Sequence, residues 1–186
     1  MSDVTRSSRR RRIATVALLV ASLLPVVPVH AAATSFSYLD AAQVAQLRTL
    51  SIPVLLPRSL PPGFRLLHFK AKSYPFAGGG TSGGTYELDF VDAAKHDILL
   101  IVSDGGLGDP PDYNDASRKA FDAPLPGYGH VHFDPMKFNT PYWYGQRVQL
   151  KSPAHPRSVF LTITGSASPA ALRTFCASMA PLPTSS

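Results

Sequence analysis

A single cysteine, Cys176, leaves this 186-residue chain unable to form an intramolecular disulfide. Its stability has to come from a packed core. Residues 34–186 are long enough for one, because a domain of about 150 residues buries roughly two thirds of its unfolded surface. The glycine-rich run Gly78–Gly84 lacks a Gly-Lys-Ser/Thr ending and is not followed by a helical pattern, which excludes a phosphate-binding loop. No Gly-x-Ser-x-Gly elbow is present, so a serine hydrolase has no support. Asp104, Asp109, Asp112 and Asp115 lie among glycines but miss the calcium-loop spacing, and they read as solvating residues. No internal repeat occurs. Without a catalytic motif the sequence implies no cofactor, and an enzyme is the less favoured class.

Apolar runs are also short. The most apolar stretch, Ile13–Val29, is interrupted by Pro25 and Pro28, whereas a spanning helix needs about 20 unbroken apolar residues. It follows Arg6, Arg9, Arg10, Arg11 and Arg12 and precedes Ala31, Ala32 and Ala33. A basic region, an apolar region and small residues at the end form the pattern of a signal peptide over residues 1–33. An N-terminal anchor is the alternative. No cysteine stands at the cleavage site, which excludes a lipoprotein anchor. The expected mature chain is periplasmic or secreted and has no transmembrane segment. The net charge of +6 shrinks accordingly. Five of the 18 basic and one of the 12 acidic residues lie in the removed segment, leaving 13 and 11, a net +2. A nucleic-acid partner therefore has no basis in charge.

Periodicity supplies the fold. In Thr85–Asp104, Tyr86, Leu88 and Phe90 alternate with Glu87 and Asp89, and Ile98–Val102 is a continuous apolar run. The spacing predicts a hairpin at the centre of an antiparallel sheet. Tyr38–Leu50 reads as a helix capped by Asp40, with Gln43 in the capping-box position. Pro53, Pro57, Pro61 and Pro62 make 51–64 an extended edge piece. Phe64–Tyr74, Tyr128–Asp134, Tyr142–Lys151 and Ser158–Thr164 read as strands. Ser117–Phe121 reads as a helical turn. Ser168 caps a closing helix that has Pro169 at its first position and Leu172, Phe175, Cys176 and Met179 on its buried stripe. The expected fold is α+β: a curved antiparallel sheet of five or six strands with a helix near each end. Its parts are a helix within 34–51, a single domain over 52–180 and a disordered tail over 181–186.

Ile52-Pro53-Val54-Leu55-Leu56-Pro57 followed by Leu60-Pro61-Pro62-Gly63-Phe64-Arg65-Leu66 resembles the proline-rich entry of a group of small bacterial extracytoplasmic domains. These are related to anti-sigma-factor-associated and lipoprotein-carrier-like proteins. The resemblance extends over about residues 52–180. It implies a curved sheet with helices on one side and a binding or sensing role rather than catalysis, and it supplies no catalytic residues. Gly78–Gly84 and Asp109–Tyr113 depart from it.

Two constellations carry the site hypotheses. His130, His132 and Asp134 share one face of a strand at i, i+2 and i+4, a donor set suited to Zn²⁺, with His68, His96 or His155 available to complete it. The alternative is a solvated sheet face backed by Val131 and Phe133. Tyr142, Trp143 and Tyr144 offer flat apolar area for a sugar or an apolar ligand; the alternative is burial in the sheet. Together these point to an exported binding or sensing domain that engages an envelope protein or an apolar ligand. A metal-dependent enzyme using the His-x-His-x-Asp strand is the competing reading.

Overall fold

The computed structural model of the chain describes residues 36–75, 82–105, 114–138, 140–152 and 157–183. These belong to one compact unit, Thr34–Ser186. The expected signal peptide lies outside the described residues. Among the described residues no helix is long and apolar enough to cross a membrane.

The elements in chain order are α1 (Ala41–Arg48), β1 (Leu55–Pro57), β2 (Arg65–Pro75), β3 (Ser82–Val91), β4 (Asp97–Ser103), β5 (Phe121–Leu125), β6 (Gly129–Met136), β7 (Tyr142–Gly145), β8 (Val148–Leu150), β9 (Val159–Gly165), α2 (Pro169–Ala177) and β10 (Met179–Pro181). The α+β expectation of five or six strands with a helix at each end is corrected. The fold is mostly β, with 48% strand against 13% helix among the described residues. Its centre is an eight-stranded antiparallel sheet in the order β2-β3-β4-β9-β7-β6-β5, with β8 paired to β9. β1 and β10 form a separate pair, so the described chain runs past α2 into a strand.

The uncounted strands have physical reasons for being hard to see. β5 contains Pro124, which argues against a strand, but β5 is a sheet edge where a missing N–H costs no ladder bond. It begins at Phe121, the last residue of the expected helical turn Ser117–Phe121. The stretch Tyr142–Lys151 divides into β7 and β8 because Gly145–Arg147 leaves the β9 ladder and Gln146 N–H donates instead to His132 O at 2.7 Å. β1 and β10 are three residues each, too short for a period to register. Leu182, at the start of the expected tail, donates its N–H to Val54 O at 2.8 Å.

Local chemistry fixes the helices. The Asp40 side chain accepts from Gln43 N–H at 2.8 Å and Gln43 returns a bond to Asp40 N–H at 2.9 Å, the reciprocal capping box. Ser168 caps α2, accepting from Ala171 N–H, with Pro169 in the first turn. The imperfect alternation of β2 arises from a register shift between Leu66 and His68. That bulge returns Phe69 and Ala71 to the face carrying Leu66, opposite Leu88, Tyr86 and Phe90.

One face of the large sheet is the core. Tyr86, Leu88 and Phe90 of β3, Ile98, Leu100 and Val102 of β4, Leu161 and Ile163 of β9, and Val131 and Phe133 of β6 are all fully buried on it. Leu172, Phe175 and Cys176 of α2 close over them. Phe90 receives Tyr38 and Phe175 edge-on at 5.4 and 5.3 Å, and each large apolar side chain buried here contributes about 1.5–3 kcal/mol. Burial pushes the Cys176 thiol up to about 12. It stays protonated at neutral pH and acts as a small core hydrophobe.

Candidate functional site

Alternation sends every second residue to the opposite face of the sheet. No described helix or strand of the small pair packs there; those elements pack with the core cluster. Across this open face the register aligns one row. His68 stands opposite Asp89, Asp89 opposite Leu99, Leu99 opposite Thr164, Thr164 opposite Tyr144 and Tyr144 opposite Asp134. The adjacent row holds Lys70, Glu87, Ile101 and Thr162. Leu99, Ile101, Phe160, Tyr142 and Tyr144 are half-buried with no described partner layer above them. Thr162 and Thr164 are 3% and 8% exposed and form the floor between the aliphatic and aromatic walls.

The sequence trio divides between the two faces. Trp143 points inward at 7% exposure, with Phe121 against it edge-on at 4.9 Å and the Arg118 guanidinium carbon 4.7 Å from its ring centroid. It belongs to the core side. Tyr142 and Tyr144 take the open face. The Tyr142 hydroxyl and Thr164 Oγ1 are hydrogen-bonded at 3.0 Å, and the Tyr142 ring meets exposed Phe138 edge-on at 5.2 Å. Burial raises the Tyr142 phenol above its ordinary value; the Thr164 bond opposes this, and the charges of Asp97 and Asp89 add to it.

The His-x-His-x-Asp strand also sits on the open face, as alternation requires, with Val131 and Phe133 behind it. Its groups form a row of close polar contacts. His132 Nδ1 lies 2.7 Å from Asp122 Oδ1 on β5, and His132 Nε2 lies 3.5 Å from Asp134 Oδ1. Asp134 in turn accepts from Gln146 Nε2 at 3.0 Å. His130 Nε2 is 4.0 Å from the same Asp122 oxygen. The His132 bond, then the nearby histidine charges, hold the Asp122 carboxyl below its usual range. Both nitrogens of His132 face carboxylates, so the ring bridges Asp122 and Asp134. Among the described residues no three His, Cys, Asp or Glu side chains are grouped as a metal ion needs. His96 instead pairs with Asp92 at 2.9 Å in the β3–β4 turn, His68 lies on β2, and His155 is outside the described residues.

Two features had no sequence signal. Asp104, read as solvating, is 5% exposed; it accepts the Tyr74 hydroxyl and, at 3.3 Å, Gly84 N–H. The second is an apolar groove of about 450 Å³, lined by Leu47, Leu50, Ile52, Val54, Tyr128 and Leu182 together with neighbouring prolines. It is assembled from both ends of the domain, and no local pattern could have announced it.

No family model, curated protein or solved structure matches this chain.

Proposed function

We propose that this chain is an exported binding domain, acting in the periplasm or outside the cell, and that it engages an envelope protein through the open face of its large sheet. The observation that carries the reading is the row of half-buried Leu99, Ile101, Phe160, Tyr142 and Tyr144 around a threonine floor, with no described layer above it. Contiguous apolar surface rimmed by polar groups is what interaction sites present. The basic, apolar and small-residue segments of residues 1–33 support export. The resemblance to extracytoplasmic domains supports binding over catalysis.

The test is a charge placed in that row. Ile101→Glu is expected to fold with its thermal midpoint lowered by about 3–6 °C, because the side chain is half-buried and outside the core but stands directly opposite Glu87. It should abolish recovery of the partner that co-purifies with the wild-type protein from the host envelope fraction. Identical partners for both proteins would exclude the open face as the docking surface.

A second reading, capture of an apolar ligand, is favoured by the Leu47–Leu182 groove, whose volume and lining suit one small molecule. Native mass spectrometry of the protein from its own envelope fraction is then expected to show retained lipid. Leu50→Glu should remove that added mass, and an unladen wild-type protein would discard this reading.

A further inference from the structure

The reading of the open face as a docking surface leaves its partner's chemistry unstated, and the face itself supplies it. Five of the chain's 12 acidic residues, Glu87, Asp89, Asp97, Asp122 and Asp134, fall on this face by strand alternation. Against the net +2 of residues 34–186 this is a local reversal of sign, even with Lys70 of β2 on the same face. Asp122 and Asp134 are engaged by His132. Asp89 and Asp97 have no such cation: among the described residues no lysine or arginine forms an ion pair with either. Asp97 accepts hydrogen bonds from Ser166, and His68 faces Asp89 from β2.

The field is felt locally. Burial raises the Asp89 carboxyl, and the negative charge of Asp97 raises it further against the opposing effect of His68. Both carboxylates act in the same direction on the Tyr142 phenol. Asp89 and Asp97 thus share one negative region beside the Tyr142 ring, opposed in part by His68. The second observation is independent of charge. Thr162 stands two residues from Thr164 on the same face, is 3% exposed, and its hydroxyl has no hydrogen-bond partner among the described residues. Buried hydroxyls are paired as a rule, so this one calls for a group from outside the chain.

We propose that the open face docks a segment of a partner protein that carries arginine or lysine. The cationic group lodges between Asp89, Asp97 and the Tyr142 ring, and the segment supplies a polar partner to Thr162. This deepens the open-face reading and depends on it.

The experiment titrates the full chain with an acetylated, amidated peptide of alternating threonine and arginine. The same peptide with citrulline for arginine, and spermidine, serve as comparisons. Saturable binding of the arginine peptide is expected, at least about tenfold tighter than the citrulline form, and weakened about tenfold by Asp89→Asn. Asp92→Asn, an equal charge change in the β3–β4 turn, should leave it unchanged. If Asp89→Asn fails to fold, salt gives the same reading on the wild-type protein: raising it from about 50 to 500 mM should weaken the arginine peptide and leave the citrulline peptide unmoved. No saturable binding, equal affinity for citrulline, or indifference to Asp89→Asn and to salt overturns the proposal. Spermidine as tight as the peptide assigns the site to free polyamines and overturns the protein partner. If Ile101→Glu loses the envelope partner while Asp89→Asn keeps it, the docking surface stands and the cationic inference falls.

Discussion

Gly165→Ala is expected to destabilise the protein by about 3 kcal/mol, lowering the thermal midpoint by roughly 6–12 °C. A Cβ at this position would lie 2.2 Å from the carbonyl oxygen of Asp97 and 3.0 Å from the Cα of Ile98. Both are backbone atoms, so no side chain can turn aside to make room. The Asp97 carbonyl is itself held by Ala167 N–H at 3.1 Å, and Ser166 N–H donates to the Asp97 carboxylate at 3.0 Å. The only relief is separation of β4 from β9, the central pair of the sheet. Gly127→Ala is the comparison. Gly127 has a φ of +80° and nothing within 4 Å of an added Cβ, so the substitution costs only the left-handed backbone penalty, about 1–2 kcal/mol. Denaturant melts of the two variants measure the difference. Equal losses would mean that the close approach of β4 and β9 is not what Gly165 provides. The open face would suffer first, since Leu99 and Thr164 face one another across that same pair.

Tyr86→Phe is expected to cost about 2–4 kcal/mol, an effect large for the loss of one oxygen. Tyr86 is fully buried. Its hydroxyl donates to Leu55 O at 2.9 Å and accepts from Leu55 N–H, also at 2.9 Å. The ladder bonds of the small pair fall at Val54 and Arg58, with Leu182 N–H on Val54 O and Arg58 N–H on Ser178 O, so by alternation the N–H and C=O of Leu55 point away from β10 and the phenol takes the place of a neighbouring strand for β1. Removing it leaves two buried backbone groups unpaired and loosens the small pair from the large sheet. Tyr38→Phe removes a single bond, from its hydroxyl to Pro57 O at 2.8 Å, and should cost about 1 kcal/mol. Hydrogen exchange at Leu55 and Leu182 reads the loosening directly. Unchanged protection there would show that β1 is held by its side chains and not by the phenol.

The sequence by itself determined whatever depends on neighbours in the chain. The capping box of Asp40 and Gln43 and the Ser168–Pro169 entry to α2 are contacts within one turn. The parity of Tyr86, Leu88 and Phe90, of Trp143 against Tyr142 and Tyr144, and of the His130-x-His132-x-Asp134 strand follows from the two-residue period of a strand. The tertiary structure decided what alternation cannot carry. It showed which face is covered, so that Trp143 joined the core while Tyr142 and Tyr144 remained on the surface. It gave His132 a carboxylate from β5, a strand whose proline had concealed it, so that the ring lies between Asp122 and Asp134. It set Asp89, Asp97, Tyr142 and Thr162 on one surface from β3, β4, β7 and β9. Strands of that order in space are brought together by non-local pairing, with β9 inserted between β4 and β7. Pairing of this kind is governed by the burial of whole faces, and no stretch of residues read alone contains it.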